Sequence, residues 1–451
     1  MINASIFKAY DIRGIYPQDL NEENVFLIGQ AFVNLTNAKE VVVGRDMRTS
    51  SPQLHKALID GILSQGADVI DIGEVLTELI YFSVGFYGYD VGVMVTASHN
   101  PKEYNGIKMV KRDGDAIRII RGKDLAEPVL EGKFKEVAVR GKIKEINPWQ
   151  DYANHATSLF KTEEIKPFKV VIDAGNGMWG KFLPMIEKQL PIKVIPLNFE
   201  LDGNFPAHPS NFLEPGATDQ ISAAIKKEKA DFGFIFDGDG DRIRLIDEEG
   251  NMVDGDIALG FMSKYFLEKY PGISIPFTTP CSRALPELIE KLGGKPIRVP
   301  VGFVNVQDAL IREKGIFGGE HPSAHYCFKE NFYCDSGLFA FLILLNIVSK
   351  SNKKVSEMVK ESYPYFRVPE IVFKIDNFQQ IIDKIKEKYS DGKQDSTDGI
   401  TVWYDDWWFN VRGSNTEPVL KLNIEASTKE ILQEKSREIK DFISRGSSST
   451  I

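Results

Sequence analysis

The run DGDGDR places three carboxylates, Asp237, Asp239 and Asp241, at alternate positions separated by glycines and followed by Arg242. Glycine lets a backbone curl so that such side chains converge on one centre, where mutual repulsion raises their pKa values unless a cation is present. A hard divalent cation is the natural occupant, and few carboxylates plus a substrate phosphate suit Mg²⁺. The competing reading is an exposed acidic turn. A calcium-binding EF-hand loop would share these positions, with Glu248 at its twelfth. That loop needs glycine at the sixth position, where Arg242 stands, and helical flanks, whereas FGFIF and IRLID are strand-like. Arg242 either meets a phosphate oxygen that the metal also touches or balances the aspartates.

Three further stretches carry polar chemistry. In TASHNP (Thr96 to Pro101) a serine beside a histidine leaves the apolar run VGVMV, as a nucleophile would. The G-x-S-x-G elbow of many hydrolases is absent, and neighbours on a strand point in opposite directions, so the Ser98–His99 dipeptide alone also reads as an ordinary turn. In VRGSNTEP the Arg412 guanidinium, the Ser414 and Thr416 hydroxyls, the Asn415 amide and turn N–H groups make a donor-only anion cradle, with a plain polar turn as the alternative. In GGEHPSAHY, Glu320, Ser323 and His325 can exchange hydrogen bonds with a polyhydroxylated ligand; a zinc site there lacks the helical HExxH spacing.

The elements that must position these residues are strands buried on both faces. VVVGRD at Val41, VGVMVTASHN at Val91, KVVIDAGNG at Lys169 and FGFIFDGDGD at Phe232 each end in a Gly, Asp, Ser or Asn cluster, and ligands collect at the carboxyl ends of such strands in open α/β sheets. Helices start at Asn21 (NEENVFLIGQAFVNL) and Ser51 (SSPQLHKALIDGILSQG), so strand and helix alternate to about residue 360. Boundaries are expected at EINPWQDY, GNMVDGD and SYPYFRVPE. Beyond the last, IVFKI, GITVWYDDWWFNV and PVLKLNIEA read as alternating strands around the helix QQIIDKIKEKY, and the closing RGSSSTI reads as a frayed tail.

Composition sets the class. The chain has 451 residues and is 43% hydrophobic, enough for about three cores. A net charge of −9 excludes a general nucleic-acid binder, so any positive charge for an anionic ligand must be local. GLFAFLILLNIV, among the longest apolar runs, is shorter than a membrane span needs, and Met1 to Lys8 lacks a secretory pattern. Cys281, Cys327 and Cys334 form no CxxC pair, which fits a reducing compartment. A cytoplasmic protein with neither nucleic-acid nor membrane partners is expected.

Taken in order and spacing, FKAYDIRGIY, VGRDMRTSSP, TASHNP with YNGIKMV, DAGNG, DGDGDR, GEHPSAHY and RGSNTEP make the chain resemble the α-D-phosphohexomutase family, in its phosphomannomutase/phosphoglucomutase branch. The resemblance implies an isomerase that interconverts hexose 1-phosphate and 6-phosphate, of mannose and/or glucose, by intramolecular phosphotransfer. Ser98 would be its phosphoserine, and a hexose 1,6-bisphosphate both intermediate and activator. It implies Mg²⁺ held by Asp237, Asp239, Asp241 and a phosphate oxygen on Ser98. Arg13 and Lys108 would stand near the transferring phosphate, with Lys108 a general acid/base if its pKa is lowered. Arg242 would assist there, His99 would orient the carrier, Tyr10 would line the cleft, and Glu320 and Ser323 would meet sugar hydroxyls. His325 would make a phosphate or acid/base contact, and Arg412, Ser414, Asn415 and Thr416 would grip the distal phosphate.

The fold implied is three successive α/β domains with mixed sheets plus a smaller C-terminal α+β domain, around one central cleft. The expected domains are 1–148 with the phosphoserine loop, 149–250 with the metal loop, 251–365 with the sugar loop and 366–451 with the phosphate loop. Departures fall on the sugar side: an extra residue in Glu320-His321-Pro322-Ser323, Phe303 where relatives often have His, Pro280 where some have Lys, and Gly413 where Pro or Ala is common. The alternatives are a phosphoglucosamine mutase, in which Gly commonly replaces the Asn of SNTEP, and a non-catalytic sugar-phosphate binder, which would have no use for Ser98 and the three aspartates.

Overall fold

The computed structural model describes residues 2–134, 137–375, 378–414 and 419–447. Local sequence sets the first elements. Asn21 caps the helix Glu22–Thr36, its side chain accepting from the Asn24 N–H (3.1 Å) while the Asn24 side chain accepts from the Asn21 N–H (2.8 Å). The runs Val91–Val95 and Phe232–Phe236 are buried along their whole length, as strands covered on both faces must be.

Four sheets follow one another along the chain. The first runs in the order Ile12–Ile15, Tyr104–Asp113, Val91–Val95, Glu40–Arg45, Asp68–Glu74 and Ile143–Glu145, with Ala116–Ile120 on Tyr104–Asp113. The second has the order Ile243–Ile246, Phe232–Phe236, Lys169–Asp173 and Lys193–Leu197; the third Lys295–Val299, Ser274–Thr278, Phe317–Gly319 and Tyr326–Phe328. The fourth is antiparallel throughout, built on Val419–Ala426, Trp407–Gly413, Ile400–Trp403 and Lys393–Asp395, with Phe366–Arg367 and Ile371–Lys374 on its edge.

The strand ends depart from simple strand–helix alternation. Each chemical motif lies at the tip of an antiparallel pair. Val95 pairs with Ile107 beyond TASHNP, Phe236 with Ile243 beyond DGDGD, Gly319 with Tyr326 around Glu320 to His325, and Gly413 with Leu420 beyond Arg412. The motifs occupy carboxyl strand ends, but the chain returns as a strand instead of a helix. That return brings Lys108 opposite Met94 and Gly106 opposite Arg13, at the same end as Ser98.

One hydrophobic core runs continuously through the first three sheets, from Val42 through Trp179 and Phe236 to Met358. The helix Gly337–Ser351, which contains the apolar run GLFAFLILLNIV, is buried on nearly every side within it. Among the described residues no helix is long and apolar enough to cross a membrane. The fourth sheet has a separate core, Ile381 to Ile443, against the helices Gln379–Lys388 and Lys429–Ser447. The last helix continues through Ser447, past the expected fraying point at Arg445, because its apolar stripe, with Ile439 and Ile443, packs on that core; the rest of RGSSSTI lies outside the described residues.

Glu78 is buried in this large core, where the Tyr152 hydroxyl donates to its Oε2 at 2.6 Å. Burial pushes its carboxyl up to about 8, only partly offset by the Ser336 and Tyr152 hydroxyls. Its proton therefore favours the fold below the usual 4.5, and that contribution is lost as pH rises toward 8. Glu78→Gln, neutral at every pH, should raise the melting temperature by several degrees more at pH 8 than at pH 5. An equal shift at both values would mean that Glu78 titrates normally.

Candidate active site

Ser98 sits at φ 51° with its side chain buried. A left-handed conformation costs a non-glycine residue about 1–2 kcal/mol and needs support. Arg48 supplies it: its guanidinium donates to the carbonyls of Ser98 (2.9 Å), Asn100 (2.6 Å), Pro101 (2.8 Å) and Tyr104 (2.9 Å), and is itself paired with buried Asp46 at 3.3 Å. The Ser98 N–H donates to Thr96 Oγ1 at 2.9 Å. In this turn the Ser98 hydroxyl donates to Asp237 Oδ2 (3.0 Å) and lies 3.3 Å from His99 Nδ1. The argument that neighbours diverge is thus corrected, because Ser98 has left the strand. Burial, with Arg242 and Arg13 next in weight, holds the His99 imidazole well below its usual pKa, hence neutral.

Asp237, Asp239 and Asp241 are buried, and each offers an oxygen within 4.8 Å of the others. The exposed-turn reading is therefore overturned. Thr77 Oγ1 donates to Asp239 Oδ2 at 2.6 Å, and Lys108 Nζ reaches both Asp239 Oδ2 (2.7 Å) and Asp241 Oδ2 (2.5 Å). Burial, then Asp239 and Asp241, pushes the Asp237 carboxyl up; at Asp239 burial is outweighed by Lys108, which holds it below the carboxylate range. Oδ1 of Asp239 and Oδ1 of Asp241 are buried with no hydrogen-bond partner among the described residues. Oxygen-only donors with orphaned lone pairs fit a hard divalent cation.

Lys108 departs from expectation. Burial alone would lower its pKa, but Asp239 and Asp241 outweigh burial and hold it above the ordinary lysine range. It is a fixed ammonium here, the opposite of a lysine poised as a base. Arg13, half-buried beside it, donates from Nε to Asp11 at 2.6 Å and from Nη1 to the Asn100 side chain.

The loop Glu320 to His325 joins this cluster through Arg242, whose Nε donates to His325 Nε2 at 3.0 Å and lies 3.5 Å from Asp237. With Nε2 accepting, the His325 proton sits on Nδ1, which lies 2.9 Å from Ser323 Oγ and 3.3 Å from Glu320 Oε2. Burial and then Arg242 lower the His325 pKa. For Glu320 burial is outweighed by the His325 and Ser323 contacts, so its carboxylate is held below the usual range. The extra loop residue is absorbed by turning His321 inward. Its N–H donates to Thr278 Oγ1 and its carbonyl accepts from that hydroxyl, both at 3.1 Å, while its ring is buried 3.7 Å from Asp256. Ser323 thus still meets Glu320 and His325. Phe303 lays its ring against His325, centroids 5.3 Å apart. Tyr10 comes in from the first domain, its phenol pKa raised by burial and then by Glu320.

The fourth loop is less donor-only than expected. Arg412, buried on the strand Trp407–Gly413, donates to Glu370 Oε2 at 3.1 Å, and the same carboxylate accepts from Lys421 (2.8 Å) and Asn423 (3.1 Å). A buried guanidinium is costly without a counter-charge, which Glu370 provides. The Ser414 N–H donates to the Val419 carbonyl at 2.9 Å. Gly413 packs beneath Phe378, where a Cβ would lie 2.3 Å from the ring, so Ala or Pro there would require the Phe378 ring to move. Asn415 and Thr416 lie outside the described residues.

Several members of the cluster were not singled out from sequence. Arg48 and Thr96 stand inside quoted motifs and could have been. Thr77, Glu370 and Asp335 carry no local signal. Asp335 is buried near His325 Nε2 (3.7 Å), its carboxyl pushed well up by burial and then Asp241.

The chain matches four phosphoglucomutase/phosphomannomutase family models in series: alpha/beta/alpha domain I over residues 4–136, domain II over 150–250, domain III over 254–366 and the C-terminal domain over 365–441. It is 36% identical over 437 residues to a phosphomannomutase of Escherichia coli strain K12, covering 94% of this chain and 96% of that one. It is 36% identical over 454 residues to a phosphomannomutase of Methanocaldococcus jannaschii, covering 98% of each. Its fold matches a crystal structure of a phosphoglucomutase/phosphomannomutase family protein from Burkholderia thailandensis with a TM-score of 0.89, at 31% identity and 99% coverage of both chains. With the four domain models in order and relatives above 30% identity along nearly its whole length, this chain belongs to the phosphoglucomutase/phosphomannomutase family.

Proposed function

We propose that this chain is a phosphohexomutase in which Ser98 carries the phosphoryl group between the two ends of a hexose phosphate. The observation that bears most weight is the Ser98 hydroxyl held 3.0 Å from Asp237, at the edge of a buried carboxylate triad. A hydrolytic serine needs a base to take its proton, whereas here the nearest acceptor belongs to a carboxylate set fit for a cation, and His99, its pKa held well below the usual value by burial and then Arg242, is a weak base.

In the forward direction the P–O bond to Ser98 Oγ breaks as a sugar hydroxyl oxygen bonds to phosphorus. Oγ takes the bond's electron pair and, in net balance, the proton the sugar hydroxyl gives up, so Ser98 ends as a neutral hydroxyl. The resulting 1,6-bisphosphate then turns over in the site and returns its other phosphate to Ser98. Asp237, Asp239 and Asp241 would hold Mg²⁺, which when bound neutralises charge on the transferring phosphate. Lys108 contributes a fixed positive charge, and Arg13 and Arg242 flank the same space. Glu320 accepts from sugar hydroxyls, with Ser323 and His325 fixing its orientation, and Arg412, Ser414, Asn415 and Thr416 receive the distal phosphate.

Mannose and glucose phosphates are the proposed substrates, which the relatives named phosphomannomutase support. A phosphorus NMR time course with Mg²⁺ and mannose, glucose or glucosamine 1-phosphate, each primed with its 1,6-bisphosphate, tests this reading. Conversion of the first two to 6-phosphates is expected; preferred turnover of glucosamine 1-phosphate would reassign the sugar, and no conversion by folded, phosphorylated protein would overturn the mutase.

Ser98→Ala should cut turnover by at least ~10³-fold while leaving sugar-phosphate affinity within about threefold. Near-normal turnover would remove Ser98 from the carrier role. Arg412→Ala should weaken substrate binding by roughly 10- to 100-fold, the worth of a charge-assisted contact, with the fold kept because Lys421 still pairs with Glu370. Unchanged kinetics would exclude Arg412 from the site.

A further inference from the structure

The turn Pro300 to Gly302 is touched by three domains. The Gly302 N–H donates to Glu320 Oε1 at 2.9 Å. Gly302 has φ 124°, and a Cβ there would lie 2.7 Å from the Tyr10 hydroxyl oxygen, so the first domain closes over it. One residue earlier, the Val301 N–H donates to Asp398 Oδ2 at 3.0 Å, and that oxygen also accepts from Thr279 Oγ1 at 3.1 Å. Asp398 belongs to the C-terminal sheet domain, while Thr279 and Val301 belong to the third.

The segment bearing Asp398 is pressed onto the strand of Arg412. Gly399 has φ 66°, and a Cβ on it would lie 2.2 Å from the Val411 carbonyl and 2.7 Å from Arg412 Cα. The Asn410 side chain donates to the Asp398 carbonyl at 2.9 Å. A continuous path of close contacts thus runs from Arg412 through Gly399 and Asp398 to Val301, Gly302 and Glu320.

We propose that Asp398 is a positioning residue that ties the seating of the C-terminal domain to the aim of Glu320. When the domain is seated, Asp398 holds the Val301 N–H and the next N–H is presented to Glu320. When it is not, that turn loses its anchor and the sugar carboxylate loses a donor. Other contacts across this interface do a different job. The Arg298–Asp395 pair (2.7 Å) and the Arg283 N–H to Glu425 bond (3.1 Å) hold the domain without touching the turn. Phosphate recognition on one domain and hydroxyl recognition on another are coupled through one carboxylate. The inference rests on the reading of Arg412 and Glu320 as substrate contacts.

The test is a double-mutant cycle on mannose 1-phosphate binding, measured by calorimetry in the Ser98→Ala protein so that turnover does not intervene. Asp398→Ala should weaken binding roughly tenfold when Glu320 is present and less than about twofold in the Glu320→Gln background, since residues in one hydrogen-bond network couple. Asp398→Asn, whose amide oxygen still accepts from Val301, should recover most of the affinity. Should Asp398→Ala fail to fold, Asp398→Ser, too short to reach Val301, takes its place. The same fold-loss in both backgrounds, or no loss at all, overturns the coupling. Absence of hexose-phosphate binding before Asp398 is altered would instead sink the mutase reading on which the inference stands.

Discussion

The structure turns on the repulsion of three carboxylates buried within 4.8 Å of one another at the tip of one hairpin. Buried anions that close together persist only with opposite charge and hydrogen-bond donors at hand. Arg242 is the cation from their own hairpin; the rest comes from outside. Lys108 and Thr77 arrive from the first domain, and the third contributes His325, which holds Arg242 in place by accepting from its Nε. The carboxylate loop is therefore completed only where three domains meet.

That requirement explains why the first three sheets share one hydrophobic core. Independently tumbling domains could not hold Lys108 within 2.7 Å of two carboxylates on another chain segment. The helix Gly337–Ser351, apolar on nearly every face, is covered from several sides within this shared core, which large contiguous burial makes rigid. The same rigidity keeps Ser98 in its left-handed turn against Asp237, with Arg48 tying the loop's carbonyls to the body of the domain.

The fourth domain is built on other terms. Its core is its own, and its contacts with the third include ion pairs and hydrogen bonds, Arg298 with Asp395, Arg367 with Asp254 and Asp256, Asp398 with Thr279 and Val301, and Arg298 over the Trp403 ring. Polar interfaces of this kind permit relative movement more readily than shared apolar cores do. On the proposed mechanism, a phosphate grip on such a domain suits a bisphosphate that must present first one end and then the other.

Much of this was legible in the chain itself. Buried strands announce themselves as unbroken apolar runs, the Asn21 cap by its spacing, and the carboxylate cluster by alternating aspartates. Local chemistry and periodicity are carried by neighbours in sequence, so a sequence can state them. What the chain could not state is which distant charge meets which. The pKa of Lys108 was raised instead of lowered because Asp239 and Asp241, more than 130 positions away, outweigh its burial. The anion cradle acquired a carboxylate because a buried Arg412 needs Glu370, and Ser98 met His99 because a turn held by Arg48 replaced the strand. Electrostatic energy depends on distance and burial in space, and those are properties that only the tertiary structure decides.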